Sequence, residues 1–260
     1  MIGAIVGDVV GSIYEWDNIK TKDFELFSDD CFFTDDSVMT IAITKALLDC
    51  KGNYQNLSEI ASKRMKEIGN YYPNCGYGSH FIWWLIQEET VPYNSYGNGA
   101  AMRVGACGYF AKSLEEALEL SDKVTVISHN HPEGIKGARA TTACIFLARS
   151  GKSIPEIRKH IQENYYDMNF TLDEIRPTYK FDVTCQGSVP EAIEAFLEST
   201  CFEDAIRNAI SIGGDSDTIA AITGSIAQAY YGIPKEIEEK ALSYLDERLG
   251  KIVKEYKETL

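Results

Sequence analysis

An all-α fold is what this chain predicts, on three observations. Apolar residues recur at helical spacing along most of its length; the two-residue alternation of half-buried strands is almost absent; and helix-start chemistry stands where apolar runs begin.

Taken in order, the first helix is expected over 3–14, where Gly3, Gly7 and Gly11 repeat every fourth residue. That spacing lines them along one stripe and lets another backbone approach closely. Glu15 is next on the stripe, as a surface residue at a frayed helix end or as a carboxylate directed into a central site. A second helix is expected over 36–50, carried by Val38, Ile41, Ala42 and Leu48, and others over 57–69, 79–88, 100–111, 114–120 and 133–150. Ser153 and Glu156 form a Ser-x-x-Glu capping box around Pro155 and open a helix over 154–165. Ser188 and Glu191 repeat the pattern around Pro190 for 189–198, and helices over 203–211, 217–231 and 235–257 follow, the last with Gly250 as its candidate break. No Pro- or Ser-rich linker and no fixed-period repeat divides the chain, so 1–260 reads as a single domain.

With 39 acidic against 25 basic residues the net charge is -14. That balance argues against a surface built for extended nucleic acid or anionic lipid. Seven cysteines without a Cys-x-x-Cys spacing fit a reducing compartment and exclude a zinc-ribbon reading, so the cytoplasm is the expected location. The apolar start is interrupted by Asp8 and lacks a basic lead, so it reads as neither a secretion signal nor a membrane span.

Two acidic clusters carry the chemistry. Thr34-Asp35-Asp36-Ser37 precedes one apolar helical pattern, and Gly213-Gly214-Asp215-Ser216-Asp217-Thr218 precedes another. A single Thr or Asp would cap either helix, but together they bring four carboxylates and two threonine hydroxyls to helix mouths. Converged without cations they would repel one another, and hard divalent ions such as magnesium, or manganese in its place, answer that repulsion with oxygen ligands. Ser95-Tyr96-Gly97-Asn98-Gly99 opens a further helix, where glycines with positive φ would let backbone N–H groups cradle an anion. Tyr96 offers a stacking face. His129 and His131 lack a third metal ligand nearby, which leaves His129 a hydrogen-bonding role.

These segments, in this order, resemble the ADP-ribosylglycohydrolase family. The resemblance spans nearly the whole chain and rests on Gly3 to Asp8 followed by Glu15, on Thr34 to Ser37, Ser95 to Arg103, Ser128-His129, Gly187 to Ala192 and Gly213 to Thr218. It implies a compact orthogonal bundle of helices with two magnesium ions ligated by Thr34, Asp35, Asp36, Asp215, Asp217 and Thr218. It further implies that Ser95, Tyr96, Gly97, Asn98 and Gly99 hold ADP-ribose, with the diphosphate on the loop, Tyr96 against the adenine and His129 touching the ligand. Glu15 and Asp36 are then the candidates for proton handling as the bond between ADP-ribose and a modified acceptor is hydrolysed. Two other readings compete: a non-catalytic ADP-ribose-binding or structural member of the same fold, and another two-magnesium all-α enzyme acting on a diphosphate. The second expects Asp-Asp-x-x-Asp within a helix, and the position after Asp35-Asp36-Ser37-Val38 is Met39.

Overall fold

In a computed structural model, which describes residues 1–259, the chain forms fifteen helices and, among the described residues, no sheet. They are α1 (Ile2–Gly11), α2 (Asp35–Cys50), α3 (Leu57–Gly69), α4 (Ser79–Ile86), α5 (Gly99–Met102), α6 (Gly105–Phe110), α7 (Leu114–Thr125), α8 (Pro132–Arg149), α9 (Ile154–Asn164), α10 (Leu172–Ile175), α11 (Cys185–Leu197), α12 (Phe202–Ser211), α13 (Ser216–Tyr231), α14 (Lys235–Leu242) and α15 (Glu247–Thr259). An isolated antiparallel bridge joins Gly97 to Thr184. No described helix is long and apolar enough to cross a membrane.

The centre of the molecule is the packing of α1 on α13. Every residue of α1 is buried, and its three spaced glycines lie directly against the α13 backbone, Gly3 on Gly224, Gly7 on Ala220 and Gly11 on Asp217. A β-carbon at any of them would overlap main-chain atoms, so the stripe brings two backbones together as its spacing predicts. α2, α11 and α12 pack around this pair, and α8 joins α5, α6 and α7 to it.

Several expectations are corrected. The first helix stops at Gly11 and not at residue 14, where the Ser12 hydroxyl turns back onto the Val9 carbonyl at 2.9 Å. Glu15 therefore lies in the turn beyond the helix, off the glycine stripe. The stretch 100–111 is two helices broken around Val104, and 235–257 is broken by the turn at 243–246, with Gly250 inside α15. The helix expected over 114–120 runs on to Thr125. The short α10 went unassigned, although Thr171 and Glu174 make a capping box there. The box at Ser153 and Glu156 forms, with the Glu156 carboxylate accepting from the Ser153 N–H at 2.9 Å. The one at Ser188 does not: Thr184 caps α11, accepting from the Gly187 N–H, and Pro190 falls inside the helix. Thr184 takes the cap because its backbone is extended, fastened to the loop at residues 96–98 by the Cys185 N–H to the Tyr96 carbonyl at 2.9 Å.

Candidate metal and ligand site

The N-termini of α2 and α13 open onto one cavity of about 400 Å³. The turn before α13 needs glycine, since Gly213 and Gly214 have φ of 67° and 81°. Asn18, beyond α1, clamps that turn by accepting from the Gly214 N–H at 2.7 Å and donating to the Gly214 carbonyl at 2.9 Å. Its amide also binds the Glu15 carbonyl at 3.0 Å, so one side chain registers Glu15 against the α13 mouth.

At α2, Thr34 is the N-cap, its hydroxyl accepting from the Asp36 N–H at 3.3 Å. The same hydroxyl donates to Asp8 at 2.6 Å, and Asp8 also accepts from the Thr34 and Ser37 N–H groups at 2.9 and 3.0 Å. Asp8 is thus a buried clamp on the start of α2. Asp36 Oδ2 accepts from the Thr218 hydroxyl at 3.0 Å, which ties α2 to α13, while Asp36 Oδ1 is buried with no partner. Asp215 accepts from the Asn98 amide at 2.7 Å, and Asn98 also donates to Ser188 at 3.1 Å.

Two groups of carboxylates bring ligand atoms within 4.8 Å of one another: Asp8, Asp36 and Asp217, and Glu15, Asp215 and Asp217. Asp217 belongs to both. None of them, nor Asp35, pairs with a Lys or Arg among the described residues. Burial, then the neighbouring Asp217 charge, holds the Asp35 and Asp36 carboxyls well above the usual range; for Asp217 itself the order is burial, then Asp215. Burial pushes Asp215 up to about 6 and Glu15 up to about 7, with Asp217 adding to the latter. Donors that are all oxygen, an orphaned buried carboxylate oxygen and no basic counter-charge together fit a bound hard cation.

The sign of the pH dependence follows. A carboxyl that holds its proton more tightly folded than unfolded stabilises the fold at low pH, and this is lost as pH rises through the folded value. For Asp215 the window is 3.8 to about 6 and for Glu15 4.5 to about 7. The gain in melting temperature on adding magnesium is therefore expected to grow between about pH 5 and about pH 7.5, as protons cease to compete for the ligands. Differential scanning fluorimetry with magnesium against a chelator reads it, and a gain that is flat or falls with pH would contradict the arrangement.

The loop adjoins the acids, Asn98 reaching Asp215. Ser95, Gly97, Asn98, Gly99 and His129 line the cavity, whereas Tyr96 stands outside that lining, 46 % exposed and edge-on to His131. Neither Gly97 nor Gly99 has positive φ, so the expected cradle is not how these glycines act. They border the imidazole instead: a β-carbon at Gly99 would lie 3.4 Å from His129 Nε2, and one at Gly97 3.7 Å, both ordinary contact distances. Burial, and then the Arg103 charge, pushes the His129 imidazole well below its ordinary pKa and leaves it neutral.

Of the residues the sequence singles out, Glu15, Asp35, Asp36, Asp215, Asp217 and Thr218 all line this cavity. Thr34 lies behind them as cap and donor to Asp8, and Asp35 falls outside both three-carboxylate groups. Asp8, by contrast, has no role that the motif alone implies. A lone acid in an otherwise apolar ten-residue helix was the signal, because it must be buried and bonded. Arg103 and Trp16 also line the cavity unassigned; Trp16 is 80 % exposed and stacks on Phe181 at 5.1 Å across its mouth.

Comparison with known proteins gives the family and the fold. A family model described as ADP-ribosylglycohydrolase matches residues 1–259. The chain is similar to ADP-ribosylhydrolase ARH3 of Xenopus tropicalis, 26% identical over 95% of this chain and 91% of that protein, and to the Homo sapiens ARH3, 25% identical over 94% and 88%. It is also similar to ADP-ribosylarginine hydrolase Tri1 of Serratia proteamaculans, 24% identical over 96% and 77%. A solved structure titled "ADP-ribosylglycohydrolase-related protein complex" superposes with a TM-score of 0.69 at 18% identity, covering 96% of this chain and 94% of that one, and shares the fold.

Proposed function

This chain belongs to the ADP-ribosylglycohydrolase family, and on that premise we propose that it releases ADP-ribose from a modified acceptor in a reaction that depends on two magnesium ions, manganese serving as a substitute. The enzyme class, a glycohydrolase of ADP-ribosyl bonds, comes with the family; the metal, its count and the residue roles are our reading. The observation that carries it is one cavity lined by acids without a basic partner, by the Ser95–Gly99 loop and by His129.

In this reading Asp36, Asp215, Asp217 and Thr218 hold the ions, with Asp35 beside them and Thr34 fixing the start of α2. Bound divalent cations would supply Lewis acidity and a template for sugar hydroxyls and water. The chain's own groups do the rest. Glu15, raised to about 7, can take a proton from an attacking water and return it near neutral pH. Asp36, buried and carrying an oxygen without a partner, is the second candidate for moving a proton. The acidic wall suits a sugar that becomes cation-like as the glycosidic bond breaks. Ser95, Gly97, Asn98 and Gly99 border the diphosphate, and His129 offers it a neutral ring.

Tyr96 is assigned to the adenine on its exposed face. Tyr96→Ala is expected to weaken ADP-ribose binding by about 1–3 kcal/mol, the usual loss of one aromatic stacking platform. Isothermal calorimetry measures it, and an unchanged dissociation constant would remove Tyr96 from the site. The function itself is tested with arginine, serine, guanidine, acetyl-ester and nucleobase conjugates of ADP-ribose, each assayed with magnesium and with a chelator. Magnesium-dependent release from at least one conjugate is expected; release that ignores the chelator, or none from any conjugate, would reject the proposal.

A further inference from the structure

Arg103, at the C-terminal end of α5, is 1 % exposed and makes no ion pair among the described residues. A buried cation without a counter-charge is costly, and its side chain borders the ligand cavity. Its Nη2 donates to the Val124 carbonyl at 3.1 Å and to the Ser128 hydroxyl at 2.7 Å, its Nε has no partner, and the guanidinium lies 5.8 Å from the centre of the Phe81 ring. The Ser128 hydroxyl is in turn 2.8 Å from His129 Nδ1.

That chain of contacts determines where the imidazole proton sits. Ser128 is fully buried, so water cannot take its hydroxyl hydrogen. A guanidinium has donors only, so Arg103 cannot take it either. The remaining neighbour is Nδ1, which must then be the acceptor, and the neutral ring carries its hydrogen on Nε2. Nε2 is the ring atom nearest to Gly97 and Gly99, which line the cavity with it.

We propose that Arg103 is a positioning residue which, acting through Ser128, locks His129 as the Nε2–H tautomer and so presents one fixed hydrogen-bond donor to an acceptor oxygen of the bound ligand. Were Nδ1 to carry the hydrogen, Nε2 would show a lone pair to that oxygen and repel it. Identifying the oxygen as one of ADP-ribose rests on the proposed function; the tautomer does not.

Two-bond 15N–1H spectra of the ligand-free protein, which separate protonated from bare ring nitrogens, read the proton position directly. The wild-type His129 is expected to show the Nε2–H form alone. Ser128→Ala and Arg103→Met are each expected to populate the Nδ1–H form, and Arg103→Lys, which keeps a donor to Ser128, to restore much of the wild-type pattern. In calorimetry the first two variants are expected to bind ADP-ribose about tenfold more weakly, one hydrogen bond's worth. A wild-type ring protonated on Nδ1, or a Ser128→Ala protein that is folded and keeps a pure Nε2–H ring, would overturn the proposal. Should Arg103→Met fail to fold, Ser128→Ala carries the test. A wild-type protein with the Nε2–H ring that does not bind ADP-ribose would refute the functional reading and leave the tautomer standing.

Discussion

Asp217→Asn is expected to abolish magnesium-dependent release of ADP-ribose while making the metal-free protein more stable. Asp217 is the one carboxylate shared by both acidic groups, so the substitution removes an anionic ligand from each. A metal centre contributes several kcal/mol of charge stabilisation in a transition state, and losing most of it corresponds to about a thousandfold or more in rate. The stability effect has the opposite sign. Asp217 is 4 % exposed, held above its ordinary pKa first by burial and then by Asp215 and Asp8, and nothing basic offsets it. An amide of the same shape removes the like-charge repulsion and offers its neighbours a donor. At neutral pH in chelator its melting temperature is therefore expected to exceed that of the wild type by about 2–4 °C, equivalent to about 1 kcal/mol, and magnesium to raise it no further. Steady-state release assays and paired melts measure both arms. Full activity would remove Asp217 from the reaction, and a variant less stable than wild type without metal would show that its charge is compensated in some other way.

Gly7→Ala is expected to cost stability on a scale that single substitutions seldom reach. A methyl there would run into the Ala220 carbonyl and the Ala221 nitrogen, which are main-chain atoms of a buried helix and cannot rotate aside. The two backbones would have to separate along the central pair of helices, losing contacts along its length. Overpacking of this kind costs about 1–3 kcal/mol where side chains give way, and more where backbone must move, so about 3–5 kcal/mol is expected here. In a chain of this size that lowers the melting point by on the order of 10 °C. Gly250→Ala is the control. It lies within α15 with nothing within 4 Å of the added methyl, and is expected to be neutral or to stabilise by up to about 1 kcal/mol. Chemical denaturation of both variants tests the contrast, and equal stabilities would mean that α1 and α13 are not pressed backbone to backbone.

Gly7 also shows how far the linear pattern reached. Glycines every fourth residue marked a close helix approach, and Thr34-Asp35-Asp36 and Asp215-Ser216-Asp217-Thr218 marked helix mouths rich in oxygen, because spacing along one helix and cap chemistry are local properties. Neither pattern named the partner helix. Glu15 was legible through resemblance but misplaced on the glycine stripe, since the stop at Gly11 depends on Ser12 turning back to Val9 and on Asp217 lying against Gly11. The loop glycines line the cavity but do not form the expected positive-φ cradle, because their surroundings depend on where His129 arrives from some thirty residues away.

By itself, then, the chain's order of residues determined that it is helical, where most helices begin, and which acids and hydroxyls gather at their mouths; each of these is settled within a few turns of backbone. Only the tertiary structure decided that Asp8 clamps α2, that Asp36 and Asp217 share one group, and that Arg103 stands uncompensated behind His129. Those facts are made by residues far apart in the chain meeting in space, Asp36 reaching Thr218 182 positions on, and a charge buried among distant neighbours has no signature in its own stretch of sequence.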